Sequence, residues 1–286
     1  MFADYASDPT LYEECLTLLD SCFPGIKTIA DKGRTHNAYW DKASIPFIVR
    51  QNQQLIAHLG ILPFHFIIQG KHYKAAALHG ICTKVEFRRK GYFRQLMNEA
   101  MQYTSEHYDF SFLFTDQPYL YEPFGFKVVA EYDFIYDFSF KKDQNLTLRK
   151  LDLDNPNDLE IMQSLYLKRQ PISNCFGIIN EVTVATLNAM HDPVFYIEAL
   201  NALIIYQIKH EVLYVKDIVC EKSLELNIVL SAISQKFSKV VLQFSPDSFL
   251  SPPFKAIKAT PECCIMISKD FEMKCPTFRY IESQRC

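Results

Sequence analysis

The amino-acid sequence predicts an α/β (α+β) protein of two domains, the first built on a mixed central sheet flanked by helices. Three observations carry that expectation. Over residues 75–103, AAALHGICTKVEFRRKGYFRQLMNEAMQY, an apolar run of strand character passes through a basic, glycine-containing turn and becomes an amphipathic helix. Around it, apolar runs of period two and stripes of period 3.6 follow in the order two helices, three strands, helix, strand, helix, strand. Seven of the eight glycines lie at or before Gly125 and only Gly177 follows. That shift sets a boundary near Lys141-Lys142-Asp143-Gln144-Asn145, dividing residues 1–142 from 143–286.

In order, Asp8-Pro9 supplies a helix cap and a first-turn proline, and Leu11, Cys15, Leu18 and Leu19 form the stripe of a first helix. A second helix is expected over residues 26–42, with Trp40 as a packing residue or as the wall of a pocket. Residues 46–50, 55–68 and 73–83, separated by short polar turns, read as an antiparallel meander. Alternation along the third strand sets His79, Ile81 and Thr83 on one face and Leu78, Gly80 and Cys82 on the other. The helix that follows places Phe93, Leu96, Met97, Ala100 and Met101 on one side, with Arg94, Gln95, Asn98, Glu99 and Gln102 opposite. Residues 110–115 form a short strand, parallel to its predecessor if the helix is a crossover. Asp116 can cap a short helix that Gly125 ends, and residues 126–140 return as strand.

The second half offers a strand over 146–153, helices over 158–169 and 181–190, strands over 195–200, 202–208 and 211–219, a helix over 224–237, and strands over 239–244 and 264–268. The strand–strand–helix–strand order of the first half returns, but Glu221-Lys222-Ser223 stands where the basic turn stood. A degenerate copy of the first domain and an unrelated α+β domain both fit.

A helix entered through a short turn exposes its first backbone N–H groups at the positive end of the helix dipole. Here Arg88, Arg89 and Lys90 stand beside that end, and Gly91 lets backbone approach a ligand. Such a turn suits an anion, most naturally a phosphate or pyrophosphate. The spacing Arg88-x-x-Gly91 resembles the acetyl-CoA pyrophosphate loop, Gln/Arg-x-x-Gly-x-Gly/Ala, of the GNAT acetyltransferase superfamily. Some thirty residues on, Tyr121-Glu122-Pro123-Phe124-Gly125-Phe126 resembles that family's second signature, Tyr-x-x-x-Gly-Phe. Phe93 departs from the pattern, standing where the family carries glycine or alanine. Bulky residues at this point also occur in the enhanced-intracellular-survival branch, whose members carry an extra C-terminal domain, and the chain resembles that branch.

The resemblance covers residues 8–140 and implies a GNAT-like sheet whose two central parallel strands splay apart, with a second domain that is a degenerate GNAT-like or other α+β unit. It implies an N-acetyltransferase that moves an acetyl group directly from acetyl-CoA, its cosubstrate, to a primary amine. Ile81 and Thr83, with Cys82 between them, would bond the pantetheine arm. Arg88, Arg89, Lys90, Gly91, Tyr92 and Phe93 would hold the pyrophosphate. Tyr121 matches the family's general acid, and a phenol of pKa about 10 can protonate a departing thiolate at neutral pH. A backbone N–H of Ile81 or its neighbour would polarise the thioester carbonyl. His79 and Asp116 are candidate bases, each with a bland alternative as a packed strand histidine and a helix cap.

Hydrophobic residues make up 49% of the chain and aromatic ones 14%, enough for a substantial core. The net charge of −3 gives no general attraction to nucleic acid or anionic membranes. No apolar run reaches the ~18 residues of a membrane span, and no cleavable leader is evident, so a cytoplasmic protein is expected. Nine cysteines without any Cys-x-x-Cys pair point to reduced, mostly buried thiols rather than a disulfide framework or a metal site. The expected partner is a small-molecule amine in an enclosed pocket; the amine's identity and the oligomeric state are not written in the sequence. A non-catalytic acetyl-CoA-binding sensor or scaffold is the alternative that retains the same loop.

Overall fold

The computed structural model describes residues 3–8, 10–136, 143, 145–249 and 254–286. Helix α1 (Leu11–Cys22) buries the expected stripe of Leu11, Cys15, Leu18 and Leu19. Pro9 lies outside the described residues, while Asp8 Oδ1 accepts from the Thr10 N–H and hydroxyl. Helix α2 (Ile26–Thr35) stops seven residues short of the expected end. Asn37 takes φ 60°, and the Asn37 and Ala38 N–H groups bond back to Arg34 and Gly33 carbonyls. That pair is a Schellman closure, so Trp40 begins a separate turn, α3 (Trp40–Ala43).

The meander β1 (Ile45–Gln51), β2 (Gln54–Ile68) and β3 (Lys71–Thr83) is antiparallel as expected. Both of its turns are two-residue loops with positive φ, Asn52-Gln53 and Gln69-Gly70, the conformation whose twist matches paired strands. Helix α4 (Tyr92–His107) crosses over to β4 (Phe110–Thr115), which runs parallel to β3. Those two strands pair only through Ala75–Ala77 and Phe110–Phe112; beyond that point they splay.

The strand expected over 126–140 divides into β5 (Phe126–Val128) and β6 (Tyr132–Tyr136), and residues 137–140 lie outside the described set. There follow β7 (Leu148–Lys150), α5 (Pro156–Lys168), β8 (Gly177–Ile179), α6 (Thr183–Ala189), β9 (Val194–Ile197), β10 (Ala202–Lys209), β11 (Val212–Cys220), α7 (Leu226–Ser231), β12 (Lys239–Leu242), β13 (Lys255–Lys258) and β14 (Cys264–Ser268). One sheet runs β1-β2-β3-β4-β14-β5, with β8 also on β2; the other runs β13-β6-β12-β11-β10-β9-β7.

Apart from β7 and β8, the two sheets share one plan. In each, antiparallel neighbours flank a single parallel pair, β3/β4 in one and β11/β12 in the other. Each also borrows a strand: β14 sits between β4 and β5, and β6 between β12 and β13, antiparallel throughout. So β6, before the expected boundary at 142, sits in the second sheet, and β14, far after it, in the first. Of the two readings left open for the second half, the repeat is the one the strand order supports. Phe66 and Phe112 of the first sheet pack against Tyr280, and Phe66 against Phe176, in a core that continues to Ile204 and Val215 of the second.

In the second sheet β11 and β12 pair through Val212–Val215 and Lys239–Leu242. Asp217 on β11 is fully buried and pairs with Arg169, while Arg279 N–H bonds to Ser245 just beyond β12. The expectation of nine reduced thiols is corrected: Cys175 and Cys275 are disulfide-bonded, and the other seven cysteines are free. Their 100-residue separation carries no local signal. No helix among the described residues is long and apolar enough to cross a membrane.

Candidate active site

A bulge at the end of β3 decides which side chains share a face. His58 opposes Cys82 and Gly60 opposes His79, so Gly80 and Ile81 together span one position of β2. Gly80 takes φ 56°, and the His58 Nδ1–H donates to its carbonyl at 2.8 Å. One extra residue inverts the alternation that follows it. Ile81 therefore joins Ala76, Leu78, Leu96 and Tyr121, whereas Cys82 packs towards α1. The expectation that His79 and Ile81 share a face is corrected by this bulge.

His79 instead lies under Trp40, ring centroids 4.5 Å apart, with Nε2 2.8 Å from Ser44 Oγ. It is 6% exposed, and burial drives its imidazole well below the ordinary range, with His58 adding to the effect. Gly60 makes room for it: a Cβ there would overlap the His79 ring and stand 2.8 Å from Ser44 Oγ. Gly60→Ala should therefore lower stability by about 1–3 kcal/mol, the usual range for overpacking. An unchanged denaturation midpoint would contradict that packing.

The basic turn is tied to the same strand. A 3-10 turn over Val85–Phe87 leads to Arg88, whose Nε donates to Thr83 C=O at 3.1 Å. Arg89 (φ 61°) and Gly91 (φ 88°) both take left-handed backbone, and Gly91 caps α4. The first bond into that helix runs from Gln95 N–H to Gly91 C=O, leaving the amides of residues 91–94 without an intrahelical partner. Gly91→Ala should cost about 1–2 kcal/mol through its left-handed φ alone, since a Cβ would meet nothing within 4 Å. A lowered melting midpoint checks this; an unchanged one would mean that the turn tolerates the side chain.

A cavity of about 700 Å³ joins this turn to the splayed end of β3. Of the expected site residues, Ile81, Cys82, Thr83, Arg88, Arg89, Gly91, Tyr92, Phe93 and Tyr121 line it. His79 and Asp116 do not, and Lys90 turns its ammonium to 4.9 Å above the Phe87 ring. Cys22, Phe23, Phe87, Arg94, Gln117 and Leu120 complete the wall. Sequence reading missed them, because nothing local connects the end of α1 to the end of β3; only the apolar, solvent-exposed Phe23 offered a hint.

Residues 6–129 match the acetyltransferase (GNAT) domain family. They form a GNAT domain. No curated protein matches the chain in sequence. Among solved structures it is similar to a probable N-acyltransferase from Enterococcus faecalis (TM-score 0.62, 13% identity, 93% of this chain and 71% of that one). It is similar to a GCN5-related N-acetyltransferase from Anabaena variabilis (TM-score 0.58, 16% identity, 95% and 73%). Eis1 from Mycobacterium abscessus has TM-score 0.58 and 11% identity, over 93% of this chain and 72% of that one. At such identities the likeness shows the fold, and it extends across both sheets.

Within the GNAT domain, Phe93 turns its ring inward, edge-on to Tyr121 at 5.8 Å and to Phe124 at 5.6 Å. The bulky residue thus packs against the core while part of it still lines the cavity. Tyr121 is nearly buried, and burial, with Asp116 adding, pushes its phenol up to about 12. The short helix expected after β4 is two 3-10 turns, Pro118–Leu120 and Glu122–Phe124, closed by Gly125 at φ 84°. Asp116 does not cap it. Thr115 Oγ1 accepts the Gln117 N–H at 2.9 Å, and the 3-10 turn begins with Gln117 at its cap and no side-chain cap bond. Among the described residues no cluster of three or more His, Cys, Asp or Glu side chains is placed to hold a metal ion.

Proposed function

We propose that the protein is an N-acetyltransferase that moves the acetyl group of acetyl-CoA to a primary amine by direct transfer, with Tyr121 as general acid. One observation carries the reading: a single cavity gathers the free N-terminal amides of α4, the splayed end of β3 and the Tyr121 side chain. The amides of residues 91–94, with Arg88 and Arg89 beside them, suit the diphosphate, and Lys90 adds its charge from farther off. The backbone of residues 81–83, no longer paired to β4, offers an edge for the pantetheine amides. The bulged Gly80-Ile81 segment is the source of an N–H for the thioester oxygen.

In the transfer, the amine nitrogen forms a C–N bond to the acetyl carbon and the C–S bond breaks. The departing thiolate takes its proton from Tyr121. The proton shed by the new ammonium leaves by way of solvent beside Asp116, which is exposed and close enough to bear on the Tyr121 phenol, and solvent returns a proton to the Tyr121 phenolate. His79, neutral and enclosed by Trp40 and Ser44, is the weaker candidate for that task. Thiol release from acetyl-CoA, followed over a panel of primary amines, tests the reading. Amine-dependent release is expected; binding of acetyl-CoA without release by any amine would leave a sensor or scaffold instead.

A further inference from the structure

Two cysteines stand in the wall of the cavity beside α4, and the proposed function gives neither thiol a part. Cys22 is the last residue of α1 and is half-buried. Cys82 sits on β3 between Ile81 and Thr83 and is 7% exposed. The bulge at Gly80 brings the two together. By inverting the alternation of β3 it turns Cys82 towards α1, into the apolar cluster against which Cys22 packs. Both cysteines are free, and their side chains stand close enough for the thiols to share a hydrogen bond.

Their surroundings give them different chemistry. Burial raises the Cys82 thiol well above its ordinary range, with Cys22 and Cys15 adding, so it is slow to become a thiolate at neutral pH. Cys22 has the open side, sharing the cavity wall with Phe23, Gln117 and Leu120. Cys15 belongs to the same cluster but is 1% exposed and does not line the cavity. An accessible thiol backed by a buried one is the arrangement of an attacking and a resolving cysteine. We propose that Cys22 and Cys82 are a modification site for low-molecular-weight disulfides, oxidised glutathione being the simplest, and that the bridge they form closes the cavity to acetyl-CoA.

Cys22 gives its proton to solvent and its sulfur attacks one sulfur of the small disulfide. That S–S bond breaks, and the departing thiolate takes up a proton. Cys82 then loses its proton, attacks the Cys22 sulfur and releases the second half as a thiol. Two protein thiols are thereby oxidised, and one small disulfide is reduced to two thiols. The bridge draws the sulfurs from contact to about 2 Å. Phe23 follows Cys22 directly and lines the same cavity, and the corner after it is held by Asp20, which accepts the Gly25 and Lys27 N–H groups. Drawing Cys22 onto β3 therefore carries Phe23 towards residues 81–83, the edge to which the proposed function gives the pantetheine arm. The inference rests on that reading. By linkage the effect is reciprocal: bound acetyl-CoA opposes the bridge by the factor with which the bridge opposes acetyl-CoA.

Calorimetric titration with acetyl-CoA, which has no free thiol to reopen the bridge, tests this on protein incubated with oxidised or with reduced glutathione. Differential alkylation and peptide mass analysis report which cysteines are joined. Oxidised glutathione should join Cys22 to Cys82 and raise the Kd for acetyl-CoA about tenfold or more, within the usual range of coupling between sites. Dithiothreitol should restore the lower Kd. In Cys22→Ser the two incubations should give one Kd, and in Cys82→Ala oxidised glutathione should stop at a mixed disulfide on Cys22; should the latter variant not fold, Cys22→Ser decides alone. Cys175 and Cys275 are intact in Cys22→Ser, so a difference that persists there belongs to them and overturns the assignment. Thiols at 22 and 82 that stay unjoined in oxidised glutathione would overturn it too. Binding of acetyl-CoA that is indifferent to the bridge sinks this inference alone, whereas no binding by the reduced protein sinks the proposed function and this inference with it.

Discussion

Tyr121→Phe is expected to lower kcat for acetyl transfer by about 10²–10⁴-fold, the range over which a positioned general acid contributes. The argument rests on where the phenol is and what burial does to it. Its ring is fixed edge-on against Phe93 and lies 6.5 Å from Phe126, so phenylalanine can occupy the same space. With its pKa pushed up to about 12, the hydroxyl stays protonated throughout the neutral range; the same shift weakens it as an acid, so in the proposed reaction it gives its proton as negative charge builds on the departing sulfur. Acetyl-CoA affinity should be unchanged, because in the proposed reading the diphosphate and pantetheine are held by α4 and β3. Turnover and calorimetric binding measured on the same preparations check both halves. Equal turnover in wild type and variant would remove Tyr121 from the reaction.

The second large effect is on stability. His58 is fully buried, and its folded pKa is lowered from 6.5 to about 4 by desolvation, the Gly80 carbonyl opposing. Its Nδ1–H serves that carbonyl, so a second proton must go to Nε2, which has no hydrogen-bond partner. The unfolded chain binds this proton near pH 6.5 and the folded chain only near 4. Stability is then complete above 6.5 and lost as the pH falls through that window, by a few kcal/mol at most (roughly 3–4) for His58 alone. His79, lowered for the same reason, adds in the same direction. Glu181 opposes them: burial raises it from 4.5 to about 7, so it stabilises the fold as the pH falls. The measurement is thus the difference between wild type and His58→Gln in denaturant midpoint at pH 7 and pH 5. The wild type should lose more stability on acidification than the variant; a variant with the same or a greater loss would contradict the assignment. Because His58 pins the bulge that turns Ile81 towards the cavity beside α4, acidification should disturb that edge as well.

What could be read from the sequence was local. The apolar stripe of α4, the two-residue turns of the meander and the basic turn ahead of Gly91 each depend on residues within one or two turns of chain. Nine of the residues expected at the site, Tyr121 among them, line one cavity. The failures were long-range. The bulge at Gly80 is held by His58, 22 residues away, and nothing in an alternating strand announces it. Strand β14 settles beside β4 across 149 residues, as the Cys264–Thr115 contact shows, and a four- or five-residue apolar run does not state its partner. Asp116, expected as a helix cap, makes no cap hydrogen bond, because the turn that follows begins at Gln117 and its first residue, Pro118, has no N–H to offer. The meeting of Cys22 and Cys82 needed folded positions outright, since it depends on the bulge at Gly80.

The central claim is that the free amides at the start of α4 hold the diphosphate of coenzyme A. Amide NMR shifts followed through a titration with coenzyme A test it most directly. The account predicts that Gly91, Tyr92, Phe93 and Arg94 show the largest changes, saturating together with residues 81–83. Saturating shifts confined to other surfaces, with these four amides unmoved, would contradict it.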